Sequence, residues 1–262
     1  MRIALGLEYE GTQFAGWETQ HRQRTAQACL EQALSRVADR PVRTVCAGRT
    51  DSGVHACGQV AHFDTTAQRD MRSWVFGANA NLPRDMSVLW AVPVDGEFHA
   101  RFSARRRWYR YVIFNRAVRP ALGRRRVTWE CRPLDAERMQ QAGRYLVGEH
   151  DFSSYRALAC QARSPIRTVY ELRVARQGAL VHIDVSANAF LHHMVRNIAG
   201  VLMAVGMGKR PPEWAGEILE ARDRTRGGVT APPEGLYLMR VEYPTTFGLP
   251  DAHRSEAVQL IS

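Results

Sequence analysis

From Gly48 to His55 the chain reads Gly-Arg-Thr-Asp-Ser-Gly-Val-His, which sets one carboxylate, Asp51, between two glycines and two residues after Arg49. Glycine tolerates φ > 0 and close backbone approach, and Thr, Asp and Ser hydrogen-bond to their own backbone in turns. Such a stretch does not continue a helix. It forms a loop that holds the Asp51 side chain in one direction. Val42 to Cys46 before it and Gln59 to Phe63 after it are rich in apolar and β-branched residues. The loop is therefore predicted to join two strands, a setting in which a rigid scaffold presents loop residues to a ligand. A carboxylate held this way can serve as nucleophile or as general base. The alternative is a connecting turn in which Asp51 caps its own backbone.

A second candidate is Phe190-Leu191-His192-His193-Met194-Val195-Arg196-Asn197. Met194, Val195, Ile198, Leu202 and Val205 give an apolar stripe at helical spacing, with His192 and Arg196 four apart on one face and His193 and Asn197 on another. Arg196, bracketed by Val195 and Ile198, is expected to be partly buried. A buried charge needs a partner, either a structural carboxylate or Asp51, which a nearby guanidinium would keep ionised. Adjacent helical side chains diverge by about 100°, so His192 and His193 do not chelate one ion. The five cysteines are scattered without a Cys-x-x-Cys pair, which argues against a disulfide framework and structural zinc and fits a reducing cytoplasm. No metal is expected.

The charge points to a polyanion. The net charge is +10, and Lys209 is the sole lysine among 36 basic residues. Codon usage in a G+C-rich genome explains arginine in place of lysine, but not where the arginines sit. Residues 101–126 hold ten of them, Arg101, Arg105, Arg106, Arg107, Arg110, Arg116, Arg119, Arg124, Arg125 and Arg126, and no acid. Guanidinium forks bind phosphate oxygens, and clustered cations release counterions from nucleic acid. Phe102, Trp108, Tyr109, Tyr111 and Phe114 are interleaved with them, a pattern suited to stacking on unpaired bases. Strand alternation puts Tyr109, Tyr111 and Ile113 on one face and Trp108, Arg110 and Val112 on the other. The alternative is thus a strand with a solvated basic face and an aromatic core face. Arg101 and Arg107 are expected to contact RNA.

The elements that must position these residues repeat. Periodicity predicts strand 2–9, helix 24–38, strands 42–47 and 58–64, helix 69–81 and strand 86–94. A second series follows, with strand 107–115, helix 135–147, strands 168–176 and 179–187, helix 190–206 and strand 236–243. A short helix near 212–222 is introduced by Pro211-Pro212, and Asp135 and Asn188 are expected N-caps. Both series read β-α-β-β-α-β, the split pattern of ferredoxin-like domains. The expected fold is α+β, with halves 1–105 and 106–262 whose antiparallel sheets join around a central basic cleft. A tail is expected after Pro250. No apolar run reaches the roughly 18 residues of a membrane span, and the N-terminus meets charge too soon for a secretory segment.

The chain resembles, end to end, the TruA family of tRNA pseudouridine synthases. Tyr9-Glu10-Gly11-Thr12-x-Phe14-x-Gly16-Trp17 is similar to the family's N-terminal signature and the Asp51 stretch to its catalytic loop. Phe98-His99-Ala100-Arg101-Phe102-Ser103-Ala104, Tyr109-Arg110-Tyr111, Gly148-x-His150-Asp151-Phe152, the Phe190–Asn197 stretch and Gly235-Leu236-x-Leu238 follow in order. The resemblance implies two ferredoxin-like halves about a pseudo-twofold axis. It makes Asp51 the catalytic nucleophile, Arg196 its charge partner, and Tyr109 the ring that stacks on the target uracil. Arg49 would help hold the flipped nucleotide and Leu236 would line the base pocket. It further implies a homodimer that acts, without metal or organic cofactor, on uridines 38, 39 and 40 of the tRNA anticodon arm. Position 18 departs from the pattern: Glu18 stands where glutamine is common.

Pseudouridine formation breaks the N-glycosidic bond of uridine and rejoins the uracil to the ribose through C5, so it imports no atom and no electron. The residues fit that chemistry: an ionised carboxylate, an aromatic to offset part of the unstacking cost, and a site that must exclude water. Two other classes share some of these features. A non-catalytic RNA-binding protein has no need of Asp51 beside an arginine, and residues 58–64 lack the aromatic signature of RNA-recognition motifs. A nucleoside hydrolase or glycosylase commonly uses two carboxylates, and the loop offers one.

Overall fold

The computed structural model describes residues 1–250, so the tail expected after Pro250 lies outside the described residues. The chain forms two compact units, Met1–Arg107 together with the described residues from Tyr237 on, and Trp108–Leu236.

In the first unit, β1 (Arg2–Tyr9) is buried on both faces from Ile3 to Leu7. It lies between two antiparallel neighbours, β3 (His55–Asp64) and β4 (Met86–Val94). The short β2 (Thr44–Cys46) runs antiparallel to β3. Helices α1 (Ala26–Ala38) and α2 (Met71–Asn81) supply the crossovers. Thr25 and Asp70 cap them by accepting backbone N–H groups with their side chains. The Glu31 carboxylate, buried on α1, accepts from the Thr44 N–H at 2.8 Å and from Arg43 Nη1 at 2.9 Å, which ties the helix to β2. Indole and ring packing of Trp74 against Phe63 closes the core below α2.

The second unit contains β5 (Arg106–Asn115), β6 (Thr128–Glu130), α3 (Ala136–Arg144), β7 (Gly148–Asp151), β8 (Ile166–Gln177), β9 (Leu180–Ala187), α4 (Met194–Gly206) and α5 (Trp214–Ala221). Its strand order is β5-β9-β8-β7, with β6 parallel to β5. Tyr109, Tyr111 and Ile113 are buried, as alternation predicts. On the opposite face Arg110 forms a two-point ion pair with Asp184 of β9 at 2.7 and 3.1 Å. This arginine of the basic segment is therefore paired within the sheet.

Three observations depart from the predicted elements. One pairing of strand β10 (Leu236–Glu242) lies outside the predicted series: Tyr237 and Leu238 pair in parallel with His55 and Ala56 of β3. Two local features permit it. The Tyr237 ring stacks on His55 at 4.6 Å, and Gly58 lets the Met239 carbonyl come so close that a Cβ there would lie 2.4 Å from it. Second, α4 begins at Met194 with His193 as N-cap, not at Asn188. The Asn188 side chain instead accepts from the N–H groups of Thr168 and Ala189. Third, β6 and β7 are too short, at three and four residues, to show a period. Asp135 does cap α3, accepting from Glu137 and Arg138.

One buried histidine carries a pH dependence. His62 Nδ1 accepts the Ala100 N–H at 3.1 Å, and burial, assisted by the charge of Arg2, lowers its pKa to about 4. The folded state thus favours neutral His62. Its contribution is whole above pH ~6.5 and is lost as pH falls toward 4. Between pH 7.5 and 5 it amounts to about 2 kcal/mol. His62→Asn, which keeps an acceptor near the Nδ1 position, is expected to flatten the pH dependence of urea-unfolding stability by about that amount. An unchanged profile would refute it.

Candidate active site

Residues 48–54 form the loop between β2 and β3, and hydrogen bonds hold its backbone at both ends and in the middle. The Gly48 carbonyl accepts from Gln59 Nε2 at 2.7 Å. Thr50 accepts the Trp17 N–H at 3.0 Å through its carbonyl, and its hydroxyl bonds the Tyr9 hydroxyl at 2.8 Å. The Phe14 carbonyl receives the Gly53 N–H and the Ser52 hydroxyl, and the Val54 N–H turns back to the Asp51 carbonyl at 3.1 Å. Gly53 sits at φ +80°, where a side chain would be strained. The N-terminal signature is thus a clamp on the Asp51 loop, which is the physical reason the two motifs occur together. Gly11 passes so close to Val54 that a Cβ on it would lie 1.9 Å from the Val54 carbonyl oxygen. Gly16 approaches Thr50 similarly.

Asp51 is half-buried within this frame, and Arg49 points into solvent two residues earlier. The Arg49 guanidinium is engaged by Glu18 at 2.7 Å. Both side chains are largely exposed, so the pair is worth no more than about 1 kcal/mol. It still places a carboxylate where an RNA phosphate would compete for the same fork. Glu18→Gln is expected to tighten RNA binding by about two- to fivefold at low salt and to lose that advantage as salt rises. Equal affinity of the two proteins at all salt concentrations would show that Glu18 does not compete.

The two arginines expected to contact RNA differ. Arg101 is exposed. Arg107 is buried, and its guanidinium donates to the Ala47 carbonyl through Nε at 3.2 Å and Nη2 at 3.0 Å, and to the Arg101 carbonyl at 2.7 Å. It therefore grips the backbone one residue before the Asp51 loop begins. Sequence reasoning did not find that role, because an arginine whose fork lies on carbonyls looks the same in sequence as one on phosphates. The neighbouring Cys46 thiol is pushed up to about 12 by burial, which leaves it protonated and unreactive.

In the second unit, Tyr109 on β5 is 8 % exposed and meets Phe190 edge to face at 5.0 Å. Arg196 lies in the first turn of α4, half-buried, and its Nε donates to the Ala231 carbonyl at 2.9 Å while its own carbonyl accepts the Ala231 N–H. Asn197 beside it is structural: it donates to the Tyr155 carbonyl and accepts from Arg224 and Thr230. Leu236 is buried directly after a 3-10 turn, Pro233–Gly235. The Tyr111 hydroxyl holds the entry to that turn by donating to the Pro232 carbonyl at 2.8 Å. Burial raises the Tyr111 pKa well above the ordinary phenol value, so the donor persists at any physiological pH. Gly235 packs against Thr128 and the Val112 carbonyl with no room for a Cβ. Tyr109, Arg196 and Leu236 are each set by backbone-anchored neighbours within this unit, as Asp51 and Arg49 are in the first.

Comparison with known proteins gives the family. A sequence model of the family described as tRNA pseudouridine synthase matches residues 7–103 and 142–244, which takes in the clamp, the Asp51 loop and α4. The tRNA pseudouridine synthase A of Nitrosococcus oceani is 62 % identical over 258 residues, covering 98 % of this chain and all of that protein. The proteins of the same name from Methylococcus capsulatus and Alcanivorax borkumensis are 62 % and 59 % identical over 249 and 251 residues, each covering 95 % of this chain and 92 % and 94 % of theirs. Similarity at this level, over nearly the whole chain, means that the chain belongs to the tRNA pseudouridine synthase family.

Proposed function

We propose that this chain, an isomerase converting uridine to pseudouridine in tRNA, acts on positions 38, 39 and 40 of the anticodon arm, with Asp51 as its nucleophile. The observation that supports the assignment of Asp51 is the clamp: a half-buried carboxylate on a loop whose backbone is held by Phe14, Trp17 and Gln59, with Arg107 gripping the residue just before it. A carboxylate fixed in direction needs no reorganisation at the moment of reaction. In the net reaction the C1′–N1 bond breaks, a C1′–C5 bond forms, the C5 proton leaves to solvent and N1 gains one. No oxidant, reductant or imported atom is required. Tyr109 is proposed to stack on the uracil, Arg196 to keep Asp51 ionised, Arg49 to hold the flipped nucleotide, and Leu236 to give the pocket an apolar wall. Arg101 is proposed as a phosphate contact. For Arg107, expected with it from sequence to contact RNA, the carbonyl grip supports the role of holding the loop.

The same strand order, β1-β3-β2 in the first unit and β5-β9-β8 in the second, supports two ferredoxin-like halves related by a pseudo-twofold axis. Five free cysteines and a tRNA substrate support a cytoplasmic location. Among the described residues, no helix is long and apolar enough to cross a membrane. A homodimer is proposed from the family resemblance.

The test uses tRNA transcripts carrying tritium at uracil C5. Release is expected from transcripts with uridine at 38, 39 or 40 and to vanish when all three are cytidine. Release that persists in the cytidine transcript would overturn the positional assignment. Free uracil in the supernatant would mark a glycosylase instead.

A further inference from the structure

Of the five aromatics interleaved with the basic segment, the fold withdraws four. Tyr109 and Tyr111 are buried, and Trp108 and Phe114 are half-covered. Phe102 alone stays in the open, 76 % exposed. Single exposed aromatics are common on protein surfaces, and exposure by itself carries no function. What sets Phe102 apart is the turn beneath it. His99 Nδ1 accepts the N–H groups of both Arg101 and Phe102 at 3.2 Å. The His99 N–H donates to Ser103 Oγ, and the Ser103 N–H returns to the His99 carbonyl, both at 2.9 Å. The Ala100 N–H donates to His62, its carbonyl accepts the Tyr243 hydroxyl at 2.6 Å, and the Arg101 carbonyl accepts from Arg107. Under the turn, Phe98 is fully buried against Tyr243.

The His99 ring backs one side of Phe102 at 4.4 Å, and the Arg101 guanidinium sits 5.6 Å from its centroid. Burial and nearby arginines lower the His99 pKa, so the ring is a neutral acceptor that does not repel Arg101. The result is a solvent-facing ring on a hydrogen-bonded turn, with a cation over it. Ring and guanidinium together match a nucleotide, whose base offers a π-face and whose phosphate offers the charge.

Resting on the reading that the chain acts on tRNA, we infer that Phe102 is a stacking site for an unpaired base of the substrate, with Arg101 on the adjoining phosphate. The site lies outside the residues assigned to the chemistry. It is a binding platform, and it favours unpaired RNA because a paired base hides its faces in the stack.

The experiment compares wild type, Phe102→Leu and Phe102→Trp for binding to an anticodon stem-loop and to a fully paired duplex of equal length, with tritium release measured in parallel. Phe102→Leu is expected to weaken stem-loop binding by about tenfold, to leave duplex binding unchanged, and to raise KM with kcat intact at saturating tRNA. Phe102→Trp is expected to restore stem-loop affinity. Because the ring is exposed, the thermal midpoints should coincide, so loss of folding will not mimic the effect. Stem-loop binding by Phe102→Leu equal to wild type, or equal losses on stem-loop and duplex, would overturn the inference. Wild-type protein that binds the stem-loop but releases no tritium would count against the catalytic reading alone, since the Phe102 comparison rests on binding.

Discussion

Asp51→Asn is expected to abolish tritium release from C5-labelled tRNA, a fall in kcat on the order of 10⁴-fold or more, while the protein still folds and still binds RNA. The substitution keeps the size of the side chain, removes its charge and turns one acceptor oxygen into an amide donor. The loop keeps a set of anchors that the substitution does not touch: the Gly48, Thr50 and Asp51 carbonyls, the Gly53 N–H, and the hydroxyls of Thr50 and Ser52. Electrostatics work in the same direction for binding, because removing a negative charge near a polyanion strengthens association or leaves it alone. Loss of turnover together with retained affinity therefore isolates the chemical role. Residual kcat within tenfold of wild type would remove Asp51 from that role and transfer the search to other groups. A parallel loss of binding and of folding would show a structural carboxylate, the alternative read from the sequence. Anisotropy with labelled tRNA, thermal unfolding and single-turnover tritium release, run on the same preparation, separate the three outcomes.

What could be read in the sequence follows the range of the interactions. Local signals carried far: the alternation of β5, the apolar stripe of α4 and the cap at Asp135 all rest on neighbours within a few residues. The Asp51 loop was legible because glycine and short polar residues have turn chemistry of their own. Its clamp was not, because Tyr9 and Thr50 lie 41 residues apart and nothing in either residue type names the other. Arg49 and Glu18 are a similar case. The parallel pairing of β10 with β3 depends on Gly58 admitting the Met239 carbonyl and on His55 stacking with Tyr237, contacts between residues far apart in the chain. Arginines were the hardest to sort. Arg101, Arg107 and Arg110 stand within ten residues, yet one is exposed, one grips backbone carbonyls, and one is paired to Asp184. Composition predicts what such a segment can bind, and only packing decides which members remain free to bind it.

The clamp itself can be broken without touching any reactive group. Gly11→Ala would place a Cβ 1.9 Å from the Val54 carbonyl oxygen and 2.4 Å from its carbon, where real Cβ contacts stay beyond 3.0 Å. The obstacle is backbone on both sides, so no flexible side chain can swing away. One segment must shift by about 1 Å, and Val54 lies three residues from Asp51. Two costs follow. Overpacking against fixed backbone costs about 1–3 kcal/mol of stability. A displacement of about 1 Å at a positioned reacting group costs roughly 10²-fold in rate. Gly16→Ala is expected to act alike, since its Cβ would lie 2.8 Å from the Thr50 carbonyl at φ +95°, with backbone strain added. Gly96→Ala supplies the control: nothing lies within 4 Å of its Cβ and its φ is ordinary, so stability and rate should both stay at the wild-type values. Urea unfolding gives the first cost, and kcat at saturating tRNA, at a temperature where each variant is fully folded, gives the second. Wild-type kcat in a folded Gly11→Ala protein would mean that the N-terminal signature supports the fold but does not aim Asp51. A hundredfold loss with RNA affinity retained would mean that the geometry of this loop, held from 40 residues away, is itself part of the catalyst.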